Sequence, residues 1–244
     1  MAWRHVEARP GLPAIHFAFS DASDGDLAVD LLPEELAARR AAVLPGAWSW
    51  LRQVHGADVV VVDVPGQHAG AHADAAVTTV PGAVLAVQTA DCAGVLLLGT
   101  GPGGVAVAAA HAGWRGLADG VLQATVGSLR DAGSTRVEWL LGPCIGPSSY
   151  EFGERDLAVL VDRYGPALAA TTAEGAPALD LRAGVRLALS EAGAHPLEVD
   201  GWRNDAVPCT ATDAGPDGPH WFSWRARKDT GRQVAAVRIG DVPA

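Results

Sequence analysis

The sequence predicts an α/β (α+β) fold: one domain over residues 1–244, with a mixed β-sheet core flanked by helices. Three observations carry this expectation. Of the 244 residues 49% are hydrophobic and only 19% are charged, and Gly and Pro are scattered rather than clustered. A chain of this length buries roughly 70–75% of the surface its unfolded form exposes, which is enough for a large core without staples. Finally, apolar runs of strand length alternate with stretches of helical spacing, and such interleaving defines the α/β and α+β classes. Neither a repeat nor a linker divides the chain.

The elements follow in order. "LPEELAARRAAVL" (32–44) reads as a helix, with Pro33, Glu34 and Glu35 in its first turn, where proline's fixed φ and the helix dipole favour them. "ADVVVVDV" (57–64) is a β-branched run and reads as a strand. "AVLAVQTADCAGVLLLG" (83–99) reads as two core strands interrupted by the polar knot "QTADC", and "GVAVAAA" (104–110) as another strand. In "GLADGVLQATVGSLRDAG" (116–133) the apolar residues recur at helical spacing, with Gly133 as a stop. "VEWLLGP" (137–143) reads as a strand entering a turn; "RDLAVLVDRYG" (155–165) and "DLRAGVRLALSEAG" (180–193) read as helices closed by glycine. The C-terminal "HWFSWRARKDTGRQVAAVRIG" suggests a hairpin around Lys-Asp-Thr-Gly.

Composition excludes several classes of function. The formal net charge of −10 disfavours binding to nucleic acid. It leaves room for a local cationic pocket, because net charge does not describe a single cleft. No basic block or amphipathic helix points to a membrane surface, and no run approaches a membrane span. Three cysteines, Cys92, Cys144 and Cys209, fit a reducing compartment better than a disulfide framework. The charged start lacks the apolar stretch of a signal peptide. A cytoplasmic protein is the expectation. "GTGPGG" (99–104) matches a dinucleotide-binding pattern in letters only, since it leads into a strand rather than a helix. A glycine-rich turn between strands is expected there.

The residues that carry chemistry stand at the edges of apolar segments: His55 in "LRQVHGADVV", Cys92 in "QTADCAGVLLL" and His111 in "VAVAAAHAGWRG". Imidazole and thiolate are preferred zinc ligands, and three protein ligands with one open position is the catalytic zinc pattern. The same residues also suit a cysteine nucleophile with a histidine base. The spacing, 37 residues and then 19, does not choose, because a lone strand-end histidine is commonly a satisfied polar group and a lone cysteine a small hydrophobe. Cys144 and Cys209 are expected to be structural, and Trp114 to pack.

The local contexts do choose. "RQVHG", "HADAAVTT", "QTADC", "HAGWRG", "LGPCIGPSSYEFG", "CTATD" and "SWRARKDTGR", in this order between about residues 50 and 240, resemble the YfiH family. That family is also described as a multicopper polyphenol oxidoreductase (laccase) domain, as purine nucleoside phosphorylases and, in a bacterial branch, as peptidoglycan editing factor. The resemblance implies that His55, Cys92 and His111 bind one zinc ion, copper being less favoured, and that these residues are catalytic. It implies phosphorolysis of adenosine, inosine, guanosine and methylthioadenosine, with deamination of adenosine as a further activity. It also implies a fold grouped with a bacterial deamidating toxin domain that uses a Cys–His pair. The expected partners are a purine nucleoside and phosphate, in a monomer or homodimer.

The chain departs from the family pattern at "HFAFSDASDGDL" (16–27), which lacks an arginine and paired glycines, and near Arg39 and Arg40, where an Asn is missing. The tail has "SWRARKDTGR" where S-Y-R-R-D is commoner.

Phosphorolysis asks for cationic partners to phosphate, and guanidinium groups bind it bidentately. Arg115 and Arg225 are the first candidates, Arg52 and Arg232 the next; Gln53 and Asp74 complete the expected substrate contacts. Deamination asks for a carboxylate that moves a proton. Asp91, beside Cys92, is the first choice and Asp74 the second, although Asp91 is equally suited to orienting a ligand histidine. The alternative is a cysteine hydrolase or amidase acting on peptidoglycan precursors, with Cys92 as nucleophile. A multicopper oxidase needs His-x-His pairs, and none of the eight histidines forms one.

Overall fold

The computed structural model describes residues 2–240. The strands, in chain order, are β1 (Trp3–Glu7), β2 (Ile15–Phe19), β3 (Ala47–Arg52), β4 (Val59–Val62), β5 (Ala71–His72), β6 (Ala75–Thr78), β7 (Ala83–Thr89) and β8 (Ala93–Gly101). They continue with β9 (Gly104–Ala112), β10 (Arg136–Leu141), β11 (Ala169–Thr171), β12 (Pro177–Leu179), β13 (His195–Pro196), β14 (Ala214–Gly215), β15 (Gly218–Pro219) and β16 (Gln233–Ile239). The helices are α1 (Pro33–Val43), α2 (Trp114–Asp119), α3 (Val121–Asp131), α4 (Glu154–Tyr164), α5 (Leu181–Glu191) and the single turn α6 (Trp224–Arg227).

Two mixed six-stranded sheets form the core, in the orders β1-β2-β16-β7-β3-β5 and β13-β10-β8-β9-β6-β4. Their strands are apolar on both faces because both faces are covered. On β7, Leu85 and Val87 meet Leu96 and Leu98 of β8 and Val107 and Ala109 of β9 between the sheets. The alternate residues Val84 and Ala86 face outward under Val43 at the end of α1. On the other sheet Val95, Leu97, Ala108 and Ala110 face outward under α2, α3 and α5. Strict alternation within an unbroken apolar run therefore gives a helix–sheet–sheet–helix sandwich. "GTGPGG" is the turn joining β8 to β9, with Gly101 paired to Gly104 and Gly104 at φ 91°.

Two expectations are corrected. The single helix over 116–133 is two, broken at Gly120, whose φ of 89° is the left-handed conformation that glycine adopts without cost. The C-terminal hairpin does not form. Trp224–Arg227 is a helical turn in which the Ser223 hydroxyl accepts the Ala226 N–H at 3.2 Å. Arg227 ties that turn to the carbonyls of Thr210 and Ala211. Only β16 remains as strand, and it pairs with β2 and β7 rather than with its own upstream neighbour.

Register decides what meets at the sheet ends. Thr89 at the end of β7 pairs with Gln233 at the start of β16, and β3 runs parallel to β7. In the other sheet Gly94 at the start of β8 pairs with His111 near the end of β9. The loops after β3, β7 and β9 and the segment before β16 thus open on one edge of the sandwich. Among the described residues no helix is long and apolar enough to cross a membrane.

Candidate metal centre

Asp74, at the entry to β6, is wholly buried, and its carboxylate collects the neighbouring loop. It accepts the backbone N–H groups of Val54, His55 and Gly56 at 3.1, 3.0 and 2.8 Å. Three consecutive amides on one carboxylate turn the loop sharply, and His55 takes a φ of 62°. The same carboxylate accepts Nδ1–H of His111 at 2.8 Å, which leaves His111 Nε2 as the ring's ligand atom. Burial pushes the Asp74 carboxyl up, but the bond from His111 and those loop amides outweigh it and hold the group below its ordinary range.

Cys92 stands just before β8 and directly after Asp91, a non-glycine residue at φ 96°. That backbone is held by the Asp91 side chain, which accepts the hydroxyls of Thr210 and Ser223 at 2.7 and 2.6 Å and the Arg225 N–H at 2.6 Å. The Cys92 Sγ lies 3.9 Å from His55 Nε2, and the His55 and His111 rings meet edge-on with centroids 4.8 Å apart. The ligand atoms of His55, Cys92 and His111 all lie within 4.8 Å of one another, the one such cluster among the described residues.

This donor set fits a metal ion. Tetrahedral zinc at ligand distances of about 2.0–2.3 Å separates its ligand atoms by about 3.4–3.6 Å, close to the Cys92–His55 spacing. The Asp74–His111 bond is the carboxylate–histidine support that metal-bound imidazoles use. Gly113 makes the room: a Cβ there would stand 2.7 Å from His55 Cδ2 and 3.1 Å from Cys92 Sγ. In the metal-free protein, burial opposes ionisation of Cys92, yet the His111 charge and bonds from both histidines bring its thiol down to about 6. Burial likewise opposes the His111 charge, while Cys92 and Asp74 raise it to about 9.

The cluster stands in the wall of a cavity of about 530 Å³, which Gln53, Thr89, Tyr150, Trp224, Arg225 and Arg232 also line. Gln53 has both amide atoms on the Gln88 backbone, at 2.6 and 3.0 Å, and braces the loop against β7. Asp74 lies beneath the cluster and supports it. The carboxylate on a ligand histidine is therefore that of Asp74, and Asp91 instead ties the Arg225 segment to the cysteine-bearing turn. Arg225 lies in the cavity wall, its guanidinium 5.1 Å above the Tyr150 ring and its Nη1 on the Glu151 carbonyl at 3.1 Å. Arg232 also lines the cavity, with Nη1 on the carbonyls of Asp229, Thr230 and Gly231. Arg115 is exposed, stacks on Trp114 at 4.7 Å and lies outside the lining. Arg52, paired with Asp30 at 3.2 Å, is outside it as well.

Tyr150 and Trp224 are missed by sequence reasoning, although both fall inside quoted motifs. Trp114 packs edge-on against Phe152 at 5.4 Å. The buried Cys144 bridges to Cys209 through its backbone, and Cys209 Sγ accepts the Gly146 N–H at 3.2 Å.

A sandwich with a metal-competent Cys–His–His cluster at one edge defines a class, and the comparisons name it. The family model described as multi-copper polyphenol oxidoreductase laccase matches residues 21–240, and the chain belongs to this family, the YfiH family. Among its relatives is a protein named purine nucleoside phosphorylase of Xylella fastidiosa (strain Temecula1), 40% identical over 81% of this chain and 74% of that protein. One of that name from Streptomyces coelicolor is 40% identical over 83% and 79%, and purine nucleoside phosphorylase YfiH of Escherichia coli K12 is 39% identical over 80% and 74%. The fold is shared with a Neisseria meningitidis protein, with a TM-score of 0.73 and 25% identity over 98% and 99% of the two chains. It is shared too with a Bacillus licheniformis YfiH protein, with a TM-score of 0.75 and 22% identity over 92% of each chain.

Proposed function

We propose that this chain is a zinc-dependent purine nucleoside phosphorylase. It converts adenosine, inosine, guanosine or methylthioadenosine and phosphate into the free base and a pentose 1-phosphate, and deaminates adenosine as a further activity. The observation that carries the reading is the His55–Cys92–His111 cluster set beside Arg225 in one cavity, in a chain whose relatives bear the phosphorylase name. Zinc, when bound, supplies a Lewis acid.

In phosphorolysis an oxygen of hydrogen phosphate bonds to C1′ as the C1′–N bond breaks, the purine leaves with the electron pair, and the proton that phosphate gives up balances the one the purine takes up. Arg225 holds the phosphate, with Arg232 and Arg115 contributing positive charge nearby. Asp74 keeps His55 and His111 in place. Asp91 acts by fixing Arg225 rather than by moving a proton, because its carboxylate is already engaged by three donors. Chromatography of adenosine incubated with zinc-loaded protein tests the reading: adenine and ribose 1-phosphate should accumulate only when phosphate is present. A folded, zinc-loaded sample that yields neither contradicts it.

A second reading, a cysteine hydrolase or amidase acting on peptidoglycan precursors, is favoured by one observation. Cys92, His111 and Asp74 stand in the order nucleophile, base, orienting carboxylate, with the thiol pulled down to about 6. The Cys92 thiolate would attack an amide carbonyl, His111 would protonate the leaving amine, and water would then release the acyl group. This chemistry works without metal, and zinc dependence separates the two readings.

A further inference from the structure

The polar groups of the cavity wall divide into those already engaged and those open to a ligand. Gln53 holds the Gln88 backbone, Asp91 has three donors, and Arg232 caps carbonyls of its own loop. Tyr150 differs. Only 9% of it is exposed, it lines the cavity, and its hydroxyl takes part in no hydrogen bond among the described residues. The ring is packed away while the hydroxyl opens on the cavity, where its donor is available to a ligand.

The phenol is held firmly. Phe152 meets the Tyr150 ring edge-on at 5.4 Å, and Trp114 in turn meets Phe152 at 5.4 Å. The Arg225 guanidinium lies over the ring face at 5.1 Å. Its Nη1 donates to Glu151, and four of its five N–H groups remain open. Hydroxyl and guanidinium together offer donors, one of them charged, and that asks for a ligand made of acceptors with negative charge.

Taking its substrate from the phosphorylase reading, we infer that the Tyr150 hydroxyl donates a hydrogen bond to inorganic phosphate and forms the phosphate seat together with Arg225. Tyr150 is thereby assigned as a substrate-binding residue, and Trp114 and Phe152 as the packing that aims it.

Calorimetric titration of inorganic phosphate into zinc-loaded wild-type protein and Tyr150→Phe tests the assignment. The variant keeps the ring and loses only the oxygen, so zinc content and melting temperature should be unchanged. Phosphate should bind about tenfold or more weakly to it, the scale of one hydrogen bond to a charged group. In steady state, KM for phosphate should rise while KM for the nucleoside stays put. Equal phosphate affinity in both proteins overturns the assignment, as does a wild-type protein that binds no phosphate. The two readings fail separately. A wild type that binds phosphate through Tyr150 but cleaves no nucleoside sinks the phosphorylase reading alone. A wild type that cleaves nucleosides beside a Tyr150→Phe variant with unchanged phosphate affinity sinks this inference alone.

Discussion

One carboxylate, that of Asp74, shapes the loop carrying His55 and aims the ring of His111. Asp74→Asn keeps the shape but loses the charge. Zinc affinity, measured by competition with a chelator, should fall about 10- to 100-fold, the usual cost of losing the group behind a metal-bound histidine; unchanged affinity would contradict the assigned support. The stability effect has a sign. The Asp74 carboxyl sits below its ordinary value of 3.8 when folded, so its stabilisation is present above about pH 4 and disappears as pH falls through the lower folded value. The gap in unfolding free energy between wild type and Asp74→Asn should therefore be wide at pH 7 and close in acid. His55, Cys92 and His111 were legible in the sequence because their side-chain types and motifs are distinctive. The sequence suggests Asp74 as a substrate contact and as the second choice for moving a proton, because burial does not show in a motif. Tyr150 escaped because "GPSSYEFG" reads as turn and helix start, and only tertiary packing turns its hydroxyl to the cavity.

The elements themselves were largely visible where apolar runs are long. β7, β8 and β9 fall where unbroken apolar stretches lie, and α4 and α5 end at glycines with φ of 90° and, two residues past the end, 70°. The errors have local causes. Gly120 fits a helical spacing on either side of itself, so the break between α2 and α3 is invisible to periodicity. The tail alternates like a strand, yet Ser223 and Asp229 close Trp224–Arg227 into a turn through local bonds, and Arg227 ties it to Ala211. Where the two sheets touch, Gly94 of β8 leaves space for Ala235 of β16, and a Cβ on Gly94 would stand 2.9 Å from that of Ala235. Gly94→Ala should destabilise the protein by about 1–3 kcal/mol, the usual cost of overpacking a core. Thermal unfolding measures it, and an unchanged melting temperature would contradict the close approach of β8 and β16.

Across the whole molecule, function rests on which strand ends share an edge. The chain carries a net charge of −10, yet Arg225 and Arg232 line the cavity beside the ligand cluster. Fold class follows from pattern alone, but the pairing of β16 with β2 joins residues up to 224 positions apart, as Ile15 with Ile239 shows. No local signal encodes such pairings, so in the sequence the meeting of His55, Cys92 and His111 rests on resemblance alone. The proposed phosphorolysis depends on one zinc ion held by these three side chains. The most direct test is to strip the protein of metal, confirm that it stays folded, and follow phosphate-dependent release of adenine from adenosine while zinc is titrated back. Activity should be absent at first, rise linearly and level off at one zinc per chain. Full activity in the stripped protein, or none at one equivalent, would contradict it.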